Sequence, residues 1–199
     1  HWPAFRGSGA KGVAEGFPVR SKWNANSKGG KRQGILWETP VPGLGHSSPV
    51  IYGDKLFLLT AIAKDGAAKL QIQSGGKPTA AKDNGEQSWV ILCYDKKSGK
   101  LIWRKTAYTG KPKATRHAKA THANTTISID GKNLLAFFGS EGLYCYDLEG
   151  SLKWKVDFGR LHSGPYNAKK LEWSFASSPV IHGDSVIVQC DCLNTGFIT

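Results

Sequence analysis

Two phrases recur along this chain at a fixed distance. "CYDKKSGKLIWRK" occupies 93–105 and "CYDLEGSLKWKV" occupies 145–156; each opens on Cys-Tyr-Asp, turns through a glycine-containing stretch and closes on a tryptophan beside lysine. The second phrase is "SSPVIYGDKLFLL" at 47–59 and "SSPVIHGDSVIV" at 177–188, while "NTTISIDGKNLLAFF" at 124–138 keeps its turn and apolar run without Ser-Ser-Pro. The turn glycines Gly131 and Gly183 stand 52 residues apart, and Gly53 and Gly131 stand 78 apart. The excess of 26 lies inside the first unit, between Gly53 and Asp95, because Gly131 and Asp147 are only 16 apart. Trp103 and Trp154, at a distance of 51, agree with a period of about 52. Such a period means that each unit is one supersecondary structure that buries its apolar face only by stacking on its neighbours.

Each unit holds four short runs rich in Val, Ile, Leu, Phe and Tyr, in the first case "SSPVIY", "KLFLLTA", "WVILCYD" and "LIWRK". Gly-Asp or Asp-Gly pairs at 53–54, 130–131 and 183–184 separate the first two runs and supply the positive φ angles of tight hairpins. Runs such as "WVILC" and "LLAFF" are apolar throughout, which suits strands covered on both faces. Four-stranded antiparallel sheets repeated at this length are blades of an all-β propeller. The 199 residues hold about three blades, an incomplete ring. The expected layout is an N-terminal extension at 1–33, a closing outermost strand at 34–42, a blade at 46–105 with an insertion at about 61–88, a blade at 123–156 and a partial blade at 175–199. Trp37 is read as the counterpart of Trp103 and Trp154; with Gly53, Asp95, Gly131, Asp147 and Gly183 these form the structural signature of the repeat. The chain begins with His and its third unit stops short, so it reads as a fragment of a longer open reading frame.

The Ser-Ser-Pro-Val…Gly-Asp hairpin followed by Tyr-Asp…Ser-Gly-Lys-Leu-Ile-Trp resembles the PQQ-like (pyrroloquinoline-quinone-type) propeller repeat, shared by quinoprotein dehydrogenases and the outer-membrane assembly lipoprotein BamB. "HWPAFRGSGAKGVAEG" and "ILWETPVPGLGHSSPV" resemble the exported PQQ-like proteins of planctomycete-type bacteria. The resemblance implies a periplasmic or secreted location. It also raises a PQQ- and Ca²⁺-dependent dehydrogenase of alcohols or sugars as the alternative function. That chemistry needs a calcium site of Glu, Asn and Asp, a catalytic Asp and often a disulfide between adjacent cysteines. None of these is assignable here, and Cys190-Asp191-Cys192 is not an adjacent pair. The expectation is therefore a chain without catalytic residues, resident metal or cofactor.

A net charge of +12 invites a nucleic-acid reading, but the lysines are dispersed and no compact run of five or more basic residues occurs. Cys93 and Cys145 fall at equivalent strand positions and read as small core residues. No apolar run of 18 residues is present to span a membrane.

Connections in a four-stranded blade alternate between its two ends. The tight turns share one end; the insertion and the links "AYTGKPKATRHAKATH" (107–122) and "DFGRLHSGPYNAKKLEW" (157–173) share the other. Long loops on a rigid scaffold are where binding residues concentrate. Lys111, Lys113, Arg116, His117, Lys119, His122, Arg160 and His162 make that face basic, so it is the expected site for a protein partner or an anionic ligand; the opposing reading is solvated charge on loops. His46, Asn124 and Ala176 share one repeat position at the start of the innermost strands. His46 and Asn124 either face a ligand in the central channel or cap nearby backbone.

Overall fold

The computed structural model describes residues 1–16, 18, 20–25, 33–66, 68–70, 80–164, 171–193 and 196–199. Among these, the only helical segments are single 3-10 turns at Ser8–Ala10 and Gly139–Glu141. The first blade is β1 (Val50–Tyr52), β2 (Lys55–Ala63), β3 (Gln87–Asp95) and β4 (Leu101–Gly110), antiparallel in chain order. The second repeats it with β5 (Ser128–Ile129), β6 (Leu134–Phe137), β7 (Leu143–Tyr146) and β8 (Leu152–Val156). A third begins with the hairpin β9 (Val180–His182) and β10 (Ser185–Ile187). Past Val188 the chain enters β11 (Gln189–Cys190), on which β12 (Phe197–Ile198) folds back. The described strands form no closed ring.

The repeated residues act at the turns. Asp95 Oδ1 accepts the Ser98 N–H at 2.7 Å, and Asp147 Oδ1 accepts the Ser151 N–H at 2.7 Å, so each Asp closes the β3–β4-type turn with its side chain. A tryptophan from the preceding unit then lies on that turn. The Trp103 indole N–H donates to the Leu148 carbonyl at 3.3 Å, and Trp37 does the same to Lys96 at 2.9 Å. Gly99 and Gly150, at φ +69° and +87°, leave the space these indoles occupy.

The main core lies between the first two blades, where Phe57, Leu59, Trp89 and Ile91 meet Ile127, Leu134 and Ala136. A second cluster, of Phe137, Leu143, Phe175 and Val188, joins the second blade to the third. On the other face of β3, Val90, Leu92 and Tyr94 are also buried, which is why the strand is apolar without interruption from Trp89 to Tyr94. Among the described residues Trp154 has no such turn to rest on and is 40% exposed.

One element differs from expectation. Residues 34–42 form no strand, because a strand needs a hydrogen-bonded neighbour and none of the described residues provides one there. The insertion expected at about 61–88 is built partly as hairpin: both ends of that stretch lengthen β2–β3, which pairs Lys55 with Asp95 through Ala63 with Gln87. The N-terminal segment also has a place. Trp2 pairs with Ile51 along the free edge of β1 (2.7 and 2.9 Å), and Pro3 accepts the Ile129 N–H at 2.8 Å, so the segment crosses the inner edges of both blades.

Candidate functional site

The long connections do gather at one end, and they are braced by buried charge. Arg116, from the first link, donates through Nε to Asp83 of the insertion at 2.9 Å, and its Nη2 lies 2.7 Å from the same carboxylate oxygen. Nη1 donates to the Ala120 carbonyl at 2.5 Å, and Nη2 also donates to that of Lys69 at 3.2 Å. Ala81 donates its N–H to the Arg116 carbonyl at 2.8 Å. Glu172, buried in the second link, accepts both the N–H and the hydroxyl of Thr115, at 2.8 and 2.9 Å, and meets Arg160 at 3.3 Å. Glu141, on the β6–β7 turn, accepts the Lys113 N–H at 2.9 Å. Burial pushes its carboxyl up to about 7.

The basic loop face is consequently less basic than its sequence. Arg116, His117 and His122 are buried, not displayed. Lys113 pairs with Asp157 at 2.6 Å and Arg160 with Glu172. His162 is half-buried, its Nδ1 accepting the Gly164 N–H at 3.2 Å. Lys111 and Lys119 remain exposed without an ion-pair partner among the described residues. Counting charge within the first link overlooks the carboxylates that Asp83, Glu141, Asp157 and Glu172 bring to it from elsewhere.

His122 sits inside the brace. Its backbone carbonyl accepts the Trp89 indole N–H at 3.0 Å, and burial lowers the imidazole to about 4. Its Nε2 and the Gln87 Oε1 are both buried without a hydrogen-bond partner. His117 is also held low by burial, and its Nδ1 accepts the Lys119 N–H at 3.1 Å.

At the centre of this end lies a cleft of about 290 Å³ lined by His46, Lys119, Ala120, Asn124, Trp173, Ser174 and Ala176. The three repeat-equivalent positions His46, Asn124 and Ala176 therefore converge. Asn124 caps local backbone, its Oδ1 accepting the N–H and hydroxyl of Thr121 at 2.8 and 2.7 Å, while also lining the cleft. Trp173 stacks on His117 with ring centroids 3.9 Å apart and planes 12° from parallel. Ser174 holds φ at +67°, a strained value for a residue with a side chain.

Beside the cleft runs a relay absent from the sequence reading. The Ser48 N–H donates to Thr126 Oγ1 at 3.1 Å, and the Thr126 N–H donates to Ser178 Oγ at 2.9 Å. These three residues keep the repeat spacing, so the signal was present in Ser-Ser-Pro and its Thr-Thr counterpart: the Thr126 and Ser178 hydroxyls each tie the entry of one innermost strand to the previous one.

A family model described as outer membrane protein assembly factor BamB, of the PQQ-like repeat type, matches residues 13–186. The chain belongs to this family. No curated protein matches it. The family's repeat name implies a quinone held with calcium, and the BamB-like chain's own residues test that fit. Calcium takes roughly six to eight oxygen ligands, carboxylates foremost. The cleft lining contains no carboxylate, Asn124 Oδ1 is already bonded to Thr121, and Lys119 places a like charge beside any cation. Nor does any group of three His, Cys, Asp or Glu among the described residues converge on a metal position. The lining of this cleft therefore does not suit a calcium ion. No helix among the described residues is long and apolar enough to cross a membrane.

Proposed function

We propose that this BamB-like chain is a non-catalytic binding and scaffolding module of the cell envelope, periplasmic or secreted, whose partner is a protein docking on the long-loop face. The observation that carries this reading is the brace itself. Three loops and a strand turn are locked together by Arg116–Asp83, Glu172–Thr115 and Glu141–Lys113. The exposed groups left above them, among them Lys111, Lys119, His46 and Trp173, thus stand on a platform ordered before any partner arrives. Ordering loops in advance removes a cost that association otherwise carries. The family description, an assembly factor of outer membrane proteins, supports both a protein partner and an envelope location.

A photoreactive residue at Lys111, compared with one at Lys153 on β8, tests this in cell-envelope extract of the source organism. One discrete protein adduct from position 111 and none from 153 is the expected result. Absence of an adduct at 111, or equal labelling from both, overturns the docking face. Saturable thermal stabilisation by PQQ with Ca²⁺ would instead favour the dehydrogenase reading.

A further inference from the structure

The central cleft contains a flat aromatic surface that the described residues leave partly open. Trp173 is 44% exposed, while His117, buried, backs its ring at 3.9 Å. His117 is in turn held by the Lys119 N–H, so the indole stands on a fixed support. Four other residues of the lining, Lys119, Asn124, Ser174 and His46, have side chains able to donate hydrogen bonds. Among the described residues the Lys119 ammonium has no ion pair, and the Asn124 oxygen is occupied by Thr121, leaving its amide nitrogen as the group to offer. No carboxylate lines the cleft.

We propose that this cleft binds an acidic sugar residue, with one C–H face laid on the Trp173 indole and the carboxylate at Lys119. The C–H bonds on a sugar ring are polarised positive by neighbouring oxygens and complement the negative face of an aromatic ring. The hydroxyls and carboxylate of a hexuronate supply acceptors for these donors, the carboxylate above all for the Lys119 ammonium. A volume of about 290 Å³ accommodates a single ring, while the open mouth lets a chain continue outward. An apolar side chain would leave the same donors without acceptors, at a cost. The inference concerns the same face as the proposed protein partner but does not depend on it.

Isothermal titration of the chain with trigalacturonate tests the assignment, with maltotriose and triglutamate as comparison ligands. The expected result is saturable trigalacturonate binding, weakened about tenfold or more by Trp173→Ala and largely retained in Trp173→Phe, which keeps an aromatic face. Lys119→Gln, at an exposed position, reduces trigalacturonate affinity toward that of maltotriose. Three results overturn the proposal: no trigalacturonate binding, a Lys119→Gln variant that keeps its acid preference, or triglutamate binding as tightly as the sugar. The last reassigns the cleft to an acidic peptide.

Discussion

Arg116 and Asp83 meet at 2.7 Å with side chains only 1% and 5% exposed, tying the first inter-blade link to the insertion. A buried pair is weak support for stability in itself, since desolvation offsets much of the attraction, but its halves depend on each other. Asp83→Asn leaves a buried guanidinium without its counter-charge and is expected to cost about 3–5 kcal/mol. Combining Arg116→Met with Asp83→Leu should recover more than half of that loss. Urea denaturation of the single and double variants measures both.

Two buried groups give opposing pH dependences. Glu141 titrates near 4.5 ordinarily and at about 7 in the fold, because of burial, with Lys113 and Asp157 facing it. Between these values the folded state holds the extra proton, so this contribution is present below pH 4.5 and lost as pH rises through about 7. It is on the order of 3 kcal/mol. His122, facing Asp83 and Arg116, drops from 6.5 to about 4. Its contribution is present above pH 6.5 and lost as pH falls toward 4, and His117 shifts in the same direction. The two slopes oppose each other between about pH 4.5 and 6.5. Glu141→Gln should therefore expose a loss of stability on acidification, and His122→Gln a loss on alkalinisation. Thermal melts across pH 4–8 decide.

Gly99→Ala and Gly150→Ala test the tryptophan-on-turn contact. A Cβ at Gly99 would overlap the Trp37 ring, and one at Gly150 would lie 2.7 Å from Lys105 and 3.2 Å from Trp103. Both glycines also hold positive φ, so each substitution is expected to cost about 1–3 kcal/mol. Gly53→Ala has open space around it and incurs only the backbone strain. Denaturation midpoints should rank Gly53→Ala as the mildest.

The four thiols should react in a defined order. Burial raises Cys93 to about 12 and Cys190 to about 11, and it raises Cys145 and Cys192 as well; only Cys192 is partly accessible. Alkylation at pH 8 should label Cys192 first and the other three only on unfolding. Mass spectrometry of the native and denatured protein provides the check.

Blade architecture and family were legible because they rest on local grammar. Gly-Asp pairs form hairpins, Asp95 and Asp147 cap turns through their own side chains, and a strand covered on both faces is apolar throughout. The proposed binding face was legible only in outline. His46 and Asn124 could be grouped by spacing, but Trp173, which dominates the cleft, lies outside the repeat pattern. The 34–42 stretch, read as a strand from Trp37, forms none, because pairing depends on a neighbour that local sequence does not specify.

The spacing of Gly53, Gly131 and Gly183 by itself determines how many units there are, where the chain reverses and which end carries the long loops, since these depend on contacts within a unit or between adjacent ones. Which charges are displayed is settled only by folding. Arg116 and His122 look like surface residues in a basic link until Asp83, distant in sequence, arrives beside them. Electrostatic character is set by through-space neighbours and by exclusion of water, and neither can be counted along a chain.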